Sequence, residues 1–144
     1  MSYTVLPTHN GSNESGYNYP SDITFVREPS YTHKLDEDKS VVAGFVDGKE
    51  AYRQAVYKIL NTERYDHVIY STDYGVELRG LIGMPIYYVV PEIERRVKEA
   101  IMQDDRTVDV YGFQFDTTKR GVVSVMFNVT SIYGDIEVKK DVEM

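Results

Sequence analysis

The residue types that most often perform chemistry are sparse and scattered in this chain of 144 residues. The three histidines, His9, His33 and His67, lie far apart in the sequence, and there is no cysteine. Metal sites normally draw clustered His, Cys and carboxylate ligands, so this spacing predicts no metal site. The sequence also contains no nucleophile elbow, phosphate-binding loop or dinucleotide fingerprint. We therefore expect neither a cofactor nor a catalytic residue.

Paired carboxylates are the one catalytic arrangement that the composition allows. Glycoside hydrolysis needs two carboxyl groups within a few ångströms of each other in one cleft. The candidates are Glu28, Asp73, Glu77, Asp104 and Asp105. The chain is acidic throughout, with a net charge of −7, so most of its carboxylates are expected on the surface or in ion pairs.

The triplet Asp104-Asp105-Arg106 is the most specific charged feature, because it joins a helical pattern to a strand pattern. Acidic residues at the end of a helix oppose its macrodipole, which indicates that they have a partner. Arg106 could pair with a local carboxylate, or the acids could pair with Arg95, Arg96 or another chain. Arginine is the side chain best suited to bidentate, partly buried pairing.

Two prolines limit where the helix that leads to this triplet can begin. Proline costs about 3 kcal/mol inside a helix, and both Pro85 and Pro91 lie near its start. We predict that the helix begins near Tyr88–Val90, or that a short kinked turn at Pro85–Tyr88 precedes it. Its apolar stripe predicts the buried face: Ile93, Val97, Ala100 and Ile101.

A first helix is predicted from Lys49 to about Asn61. Asp47 is a good N-cap that would accept from the amide three residues on, with Glu50 at the reciprocal capping-box position. Residues at helical spacing predict its core face: Ala51, Tyr52, Ala55, Val56, Ile59 and Leu60.

The remaining patterns predict strands and turns. Ile23–Val26 is a short β-type segment, and Tyr31–Leu35 with the apolar, buried Ser40–Val46 indicates a hairpin. Arg64–Tyr70 is predicted as a further strand, followed by the turn that contains Asp73, Tyr74 and Gly75. Three segments predict a C-terminal meander: Thr107–Phe115, Val122–Ile132 and Ile136–Val142. The fold class is therefore α+β, an antiparallel or mixed sheet with two main helices packed on it.

The N-terminal residues 1–22 are predicted to form a flexible arm, and residues 23–144 a single domain. This arm is either a loose terminus or a segment that orders on a neighbour, with Tyr17 and Tyr19 as anchors. The dispersed negative charge argues against nucleic acid. The sequence has no secretory signal and no apolar stretch long enough to span a membrane. Its 13 tyrosines favour, modestly, a protein that works in an assembly.

The block from Asp47 to about Phe115 resembles the baseplate wedge family of contractile phage tails, the lysozyme-like baseplate proteins. It is most similar to the XkdS-like branch of Gram-positive phages and prophages. Asp73-Tyr74-Gly75 matches the family's turn, and Arg106 matches the arginine of its Glu-Pro-Arg motif. Asp104 and Asp105 replace the Glu and Pro of that motif.

The resemblance implies a structural, non-enzymatic role in a tail baseplate, in multiple copies around the tube. Such proteins join wedge subunits and anchor the contractile sheath, and their contacts with sheath use extended arms and strand addition. The implied partners are other wedge proteins, the tail sheath and tube-proximal proteins. The implied location is the virion, after assembly in the host cytoplasm. The residues implied at subunit interfaces are Asp104, Asp105, Arg106, Asp73, Tyr74 and Gly75.

Two alternatives come from other functional classes. A peptidoglycan-cleaving, lysozyme-like tail enzyme would need two opposed carboxylates in a cleft. A small cytosolic binding module would have no place in a virion.

Overall fold

The computed structural model describes residues 4–8, 22–26, 30–36 and 41–144, the first two ranges by their backbone alone. The strands are β1 (Thr4–Thr8), β2 (Asp22–Val26), β3 (Thr32–Asp36), β4 (Val41–Val46), β5 (Thr107–Asp116), β6 (Val122–Ser131) and β7 (Gly134–Glu143). The helices are α1 (Gly48–Leu60) and α2 (Ile86–Met102), with a short 3₁₀ turn at Arg79–Leu81 between them. The strands form three antiparallel sheets, β1-β2, β3-β4 and β5-β6-β7. The predicted α+β class and C-terminal meander are confirmed.

Several sequence predictions concern residues outside the described ranges. Tyr17, Tyr19, Glu28 and most of the predicted arm are among them. Residues 4–8, inside that arm, pair with β2 in an antiparallel register. The boundary between an arm and a domain at residue 22 stays a prediction.

The meander supplies one wall of the core. Strand β6 alternates strictly between buried and half-buried positions, as the period of two in its sequence predicts. It pairs with β7 over ten residues without a register shift. Its pairing with β5 is interrupted by two register shifts, and Gly112 takes a positive φ of 70° beside the second. A β-carbon at Gly112 would lie 3.0 Å from Asn128 Nδ2, so a larger residue would press on the neighbouring strand.

Both helices place their apolar faces in this core. On α1, the predicted face is confirmed except at Ala55, which is half-buried: Ala51, Tyr52, Val56, Ile59 and Leu60 are buried. On α2, Val89 joins the predicted residues Ile93, Val97, Ala100 and Ile101. Asp47 is the N-cap of α1, but its carboxylate accepts from the amide of Gly48 rather than from the amide three residues on. The Ser30 hydroxyl also donates to this carboxylate.

The predicted start of α2 near Tyr88–Val90 is wrong, because the helix begins at Ile86 with Pro85 as its N-cap. Pro91 therefore lies inside the helix, in its second turn. Its missing N–H leaves the carbonyl of Tyr87 without a helical donor. Tyr87 is on the exposed side of the helix, where water can satisfy that carbonyl.

The predicted strand Arg64–Tyr70 is also wrong, since these residues form successive turns. Tyr65 has a positive φ of 70°, which breaks an extended backbone. The only β-bridge in the described residues around it joins Glu63 to Val76. The backbone instead closes on itself, with the Tyr70 N–H donating to the His67 carbonyl at 3.2 Å.

The hairpin of β3 and β4 is confirmed, but β4 is not the buried strand that its sequence predicts. Val41, Val42 and Phe45 are all exposed. A strand of β-branched residues is buried on both sides only if other elements cover both faces of its sheet. Among the described residues no element covers the outer face of this hairpin. Ser40, the first predicted residue, lies outside them.

Candidate interaction site at the junction of α2 and β5

The end of α2 and the start of β5 are joined by a buried ion pair between Asp104 and Arg106. Arg106 Nε donates to Asp104 Oδ1 at 2.9 Å, and one terminal nitrogen donates to Oδ2 at 2.6 Å. The Arg106 backbone N–H also donates to Oδ1 at 2.9 Å. The Asp104 side chain is 1% exposed and that of Arg106 is 16% exposed. A bidentate pair with this little water around it holds the turn in one geometry.

Helix α1 closes the site from the other side. The Arg106 guanidinium lies over the Tyr52 ring, with 5.3 Å between its central carbon and the ring centroid, a cation–π contact. The Tyr52 hydroxyl lies 2.7 Å from Thr107 Oγ1, which donates to the Ile101 carbonyl at 2.9 Å. Since Thr107 has a single hydroxyl hydrogen, Tyr52 is the donor in this chain of hydrogen bonds. The last carbonyls of α2 are thereby tied to both α1 and β5.

The electrostatics of the junction follow from this geometry. The hydrogen bonds to Asp104 raise the pKa of Arg106, although burial acts against the charge. Burial raises the pKa of Tyr52 to about 12, so its hydroxyl stays protonated and can go on donating to Thr107. The junction therefore holds a fixed pair of opposite charges, Asp104 and Arg106.

Of the two interpretations of the triplet, the structure favours local pairing. Arg106 pairs with Asp104, whereas Arg95 and Arg96 both pair with Glu92, each at 2.9 Å. Asp105, between the two paired residues, is half-buried.

The turn Asp73-Tyr74-Gly75, which the resemblance singles out, has a closely packed backbone. Gly75 is buried, with a positive φ of 96°, and a β-carbon there would lie 2.6 Å from the Thr62 carbonyl oxygen. Only glycine fits this close approach. The Tyr74 ring stacks on Tyr70 with 4.4 Å between centroids and packs against the core, while Asp73 is exposed.

The structure brings Tyr74 near the buried junction. Burial, Tyr70 and the charge of Asp104 together raise the pKa of Tyr74. The two groups of predicted site residues therefore belong to one region of the molecule, with Asp73 on its surface and Asp104 in its interior.

Arg64 links helix α2 to the turn at Asp73-Tyr74-Gly75, and the sequence patterns did not predict this role. Its side chain is only 9% exposed and pairs with Glu99 of α2 at 2.9 Å and with Glu77 at 3.5 Å. Its Nε donates to the Gly75 carbonyl at 3.2 Å. Because Arg64 lies in a segment predicted as a strand, the sequence showed no sign of this role.

Comparisons with known proteins identify the family of this chain. The family model for the contractile injection system sheath initiator matches residues 31–134. The Bacillus subtilis (strain 168) phage-like element PBSX protein XkdS is 36% identical over 120 residues, which cover 80% of this chain and 84% of that protein. The chain belongs to the contractile injection system sheath initiator family. The resemblance found in the sequence is confirmed, and a structural role in a phage tail follows from it.

Membership in the sheath initiator family implies contact with other tail and sheath components, and thus a place in the tail particle. A crystal structure of a candidate tail lysozyme from Geobacter sulfurreducens aligns with a TM-score of 0.56 at 17% identity. The match covers 67% of this chain and 90% of that one. At this identity, the likeness shows a shared fold alone.

Two of the candidate catalytic carboxylates of this sheath initiator chain lie beside arginines. Asp104 is bound by Arg106, and Glu77 lies beside Arg64. Among the described residues, the carboxyls whose pKa departs from its ordinary value all depart downward: Asp47, Glu92, Asp109 and Asp116.

Two further classes of site were sought in the described part of the chain. It contains no group of three or more His, Cys, Asp or Glu that could hold a metal ion. Its helices include none that is long and apolar enough to cross a membrane.

Proposed function

We propose that this chain is a non-enzymatic component of the baseplate of a contractile phage tail or tail-like particle. It joins wedge subunits and anchors the sheath around the tube, in several copies per particle assembled in the host cytoplasm. Family membership supports the tail role. The observation that carries the anchoring role is the regular, open edge of strand β7.

Strand β7 offers its whole length for pairing. It runs for ten residues without a bulge and, among the described strands, pairs only with β6. The Met144 N–H donates to the Gly121 carbonyl at 2.9 Å. Hydrogen-bonded pairs alternate along an antiparallel ladder, so every second residue of β7, counted back from Met144, bonds to β6. The backbone groups of the residues between them, which include Glu137, Lys139 and Asp141, therefore point outward. Proteins usually blunt such an edge with bulges, as β5 does at the other side of the sheet.

The junction residues would serve the second contact, with wedge subunits. The buried pair of Asp104 and Arg106 braces the surface, while Asp105 and Asp73 lie at or near it and Tyr74 and Gly75 shape the turn. Large apolar side chains are exposed on the turns before Tyr74 and on the first turn of α2: Val68 is 102% exposed, Ile69 86% and Tyr87 81%. Exposed groups of large apolar residues mark protein interaction sites.

Substitution of Lys139 tests the anchoring role. In Lys139→Pro, the β7 edge loses one outward N–H while its bonds to β6 remain. We expect the yield of sheathed particles to fall at least about tenfold, and Lys139→Ala, which keeps the N–H, to assemble normally. The measurement is a count of sheathed tails by electron microscopy, with circular dichroism of both free proteins as a folding control.

Two results would contradict the proposal. One is normal sheath assembly by a folded Lys139→Pro protein, and the other is the absence of this chain from purified particles by mass spectrometry. The enzymatic alternative predicts that the purified chain clears a suspension of cell walls. We expect no clearing.

A further inference from the structure

Tyr65 is held in a backbone conformation that costs the free chain stability. Among the described residues, it is the one residue other than glycine with a positive φ, at 70°. The residue before it is fixed, because the Arg64 N–H donates to the Val76 carbonyl at 3.2 Å and the Arg64 side chain is buried. The residue after it, Asp66, forms a bidentate pair with Arg79. These anchored neighbours keep Tyr65 in the left-handed region.

The Tyr65 side chain gains little packing from this conformation. The residue is 67% exposed and lies outside the hydrophobic core. Backbone strain persists mainly at functional sites, and tyrosine is among the residues that contribute most to binding at protein interfaces. Tyr65 is therefore better suited to a contact with a partner than to the stability of the free chain.

A closed ring of charged side chains lies beside Tyr65. Its members alternate in charge, and neighbours are between 2.8 and 3.5 Å apart. The ring closes through the backbone of Glu77, whose carbonyl accepts from Arg96. Five of its six members line a pocket of about 290 Å³ together with Tyr65. In order around the ring, the members are Arg64, Glu99, Arg95, Glu92, Arg96 and Glu77.

Two acids of the ring are more accessible than most of its cations. The side chains of Glu77 and Glu99 are 45% and 43% exposed, whereas those of Arg64 and Arg96 are 9% and 21% exposed. Arg95 is 57% exposed, but it already donates three hydrogen bonds to the acids on either side of it. Glu77 and Glu99 meet at one nitrogen of Arg64, at 3.5 and 2.9 Å. Since a carboxylate has about four acceptor sites, both can accept further hydrogen bonds.

We propose that this pocket takes an arginine side chain of another protein of the tail particle. The guanidinium hydrogen-bonds to Glu77 and Glu99 and lies over the Tyr65 ring. Arginine suits this position because its planar guanidinium can pair with carboxylates and stack on an aromatic ring. The inference rests on the proposed function and deepens it, since it names a contact site on this chain and the side chain that fills it.

A cation fits the pocket better than an acid does. The face of an aromatic ring attracts positive charge, so Tyr65 favours a guanidinium over a carboxylate. An acidic side chain would also meet the half-exposed carboxylates of Glu77 and Glu99. The chain as a whole carries a net charge of −7, which attracts basic partners at longer range.

Tyr65→Gly separates the stability of the chain from its contact with a partner. Glycine adopts a positive φ without strain, so the free variant should be at least as stable as the wild type in urea unfolding. In the particle the arginine loses the ring, and we expect the yield of particles counted by electron microscopy to fall at least about tenfold. Tyr65→Phe keeps the ring and should assemble normally. Normal assembly by Tyr65→Gly would overturn the proposal.

A pair of charge variants compares an accessible acid of the ring with a covered one. Glu77→Gln and Glu92→Gln each remove one negative charge and keep the shape of the side chain. The Glu92 side chain is 20% exposed and faces its two arginines, so it lies out of reach of a partner. We expect Glu77→Gln to lower the particle yield at least about tenfold and Glu92→Gln to leave it unchanged, with circular dichroism as the folding control. Equal yields for the two variants would contradict the inference.

Crosslinking and charge exchange identify the occupant. A benzoylphenylalanine at position 65 should crosslink in particles to a peptide of another tail protein, and that peptide should contain an arginine. Changing this arginine to glutamate should lower the particle yield, and combining the change with Glu77→Arg should restore part of it. A crosslinked peptide without arginine, no crosslink, or no restoration would overturn the inference.

A second probe at position 73 separates this inference from the proposed function. If position 73 crosslinks to a tail protein while position 65 does not, the inference fails and the baseplate role stands. If the chain is absent from the particles, the proposed function itself fails.

Discussion

The hairpin of β3 and β4 and the meander of β5, β6 and β7 are built from similar residues and differ in what covers them. In the meander, α1 and α2 pack on one face of the sheet, so Phe127 is 1% exposed and contacts the core. In the hairpin, Phe45 is 55% exposed and stacks on Tyr31 and His33 of the same hairpin region. Burial is therefore set by the second layer, and a strand pattern alone does not supply that layer.

The sharpest way to break this comparison is to truncate one phenylalanine in each region. Phe127→Ala removes a fully buried ring and should lower the free energy of unfolding by about 4 kcal/mol. Phe45→Ala loses exposed stacking alone and should lower it by about 1 kcal/mol or less. Urea unfolding followed by circular dichroism measures both. Equal losses would mean that the hairpin is covered as well as the meander.

The same contrast holds for ion pairs. Arg106→Ala leaves the Asp104 carboxylate buried without its cation, which should cost about 3 kcal/mol in unfolding free energy. Arg79 and Asp66 form a bidentate pair with similar distances, 2.6 and 3.2 Å, but on the surface. Arg79→Ala should therefore produce no loss that urea unfolding can resolve.

A double variant sharpens the interpretation of the buried pair. Asp104→Ala combined with Arg106→Ala removes both charges, so it should recover part of the loss seen with Arg106→Ala alone. If the double variant is as unstable as the sum of the single ones, the main contribution of Arg106 is its packing on Tyr52.

The sequence predicted best where one physical rule decided the outcome. The period of two in β6 and the apolar stripes of α1 and α2 identified the core faces, because alternation and helical spacing report burial directly. The Asp104-Asp105-Arg106 triplet marks a junction because a helical pattern stops there. Its use as an interface stays a prediction.

The failures arose where contacts between distant residues decided the outcome. Nothing local shows that Tyr52 lies under Arg106 or that the Gln54 carboxamide hydrogen-bonds to the backbone of His33 and Leu35 in β3. Ser40–Val46 has the composition of a buried strand, yet its burial depended on a layer that the described residues do not provide. Pro91 predicts a later start of α2, but Tyr87, whose carbonyl loses its helical donor, is 81% exposed, so water can take the place of that donor. The positive φ of Tyr65 interrupts the extended backbone of Arg64–Tyr70, although the composition of this segment favours a strand.

The smallest effect is expected at Glu92, a half-buried carboxylate of α2, and it depends on pH. Hydrogen bonds from Arg95 and then Arg96 lower the pKa of Glu92 from its ordinary 4.5 to about 2. Between these values, the unfolded chain binds more protons than the folded one. The carboxylate therefore contributes fully to stability above pH about 4.5, and the contribution is lost as the pH falls toward about 2. Its size is limited by the solvent around the pair.

Glu92→Gln removes this titration while preserving the shape of the side chain. The difference in unfolding free energy between wild type and variant should thus be constant above pH about 4.5 and shrink steadily below it. Glu94→Gln, on the exposed side of the same helix, is the matched control for the loss of one negative charge. A difference that stays constant down to pH about 2, or that shrinks equally for the control, would mean that Arg95 and Arg96 do not hold Glu92 in solution. The Glu92 pairs of α2 would then differ from the buried pair of Asp104 and Arg106 in geometry as well as in strength.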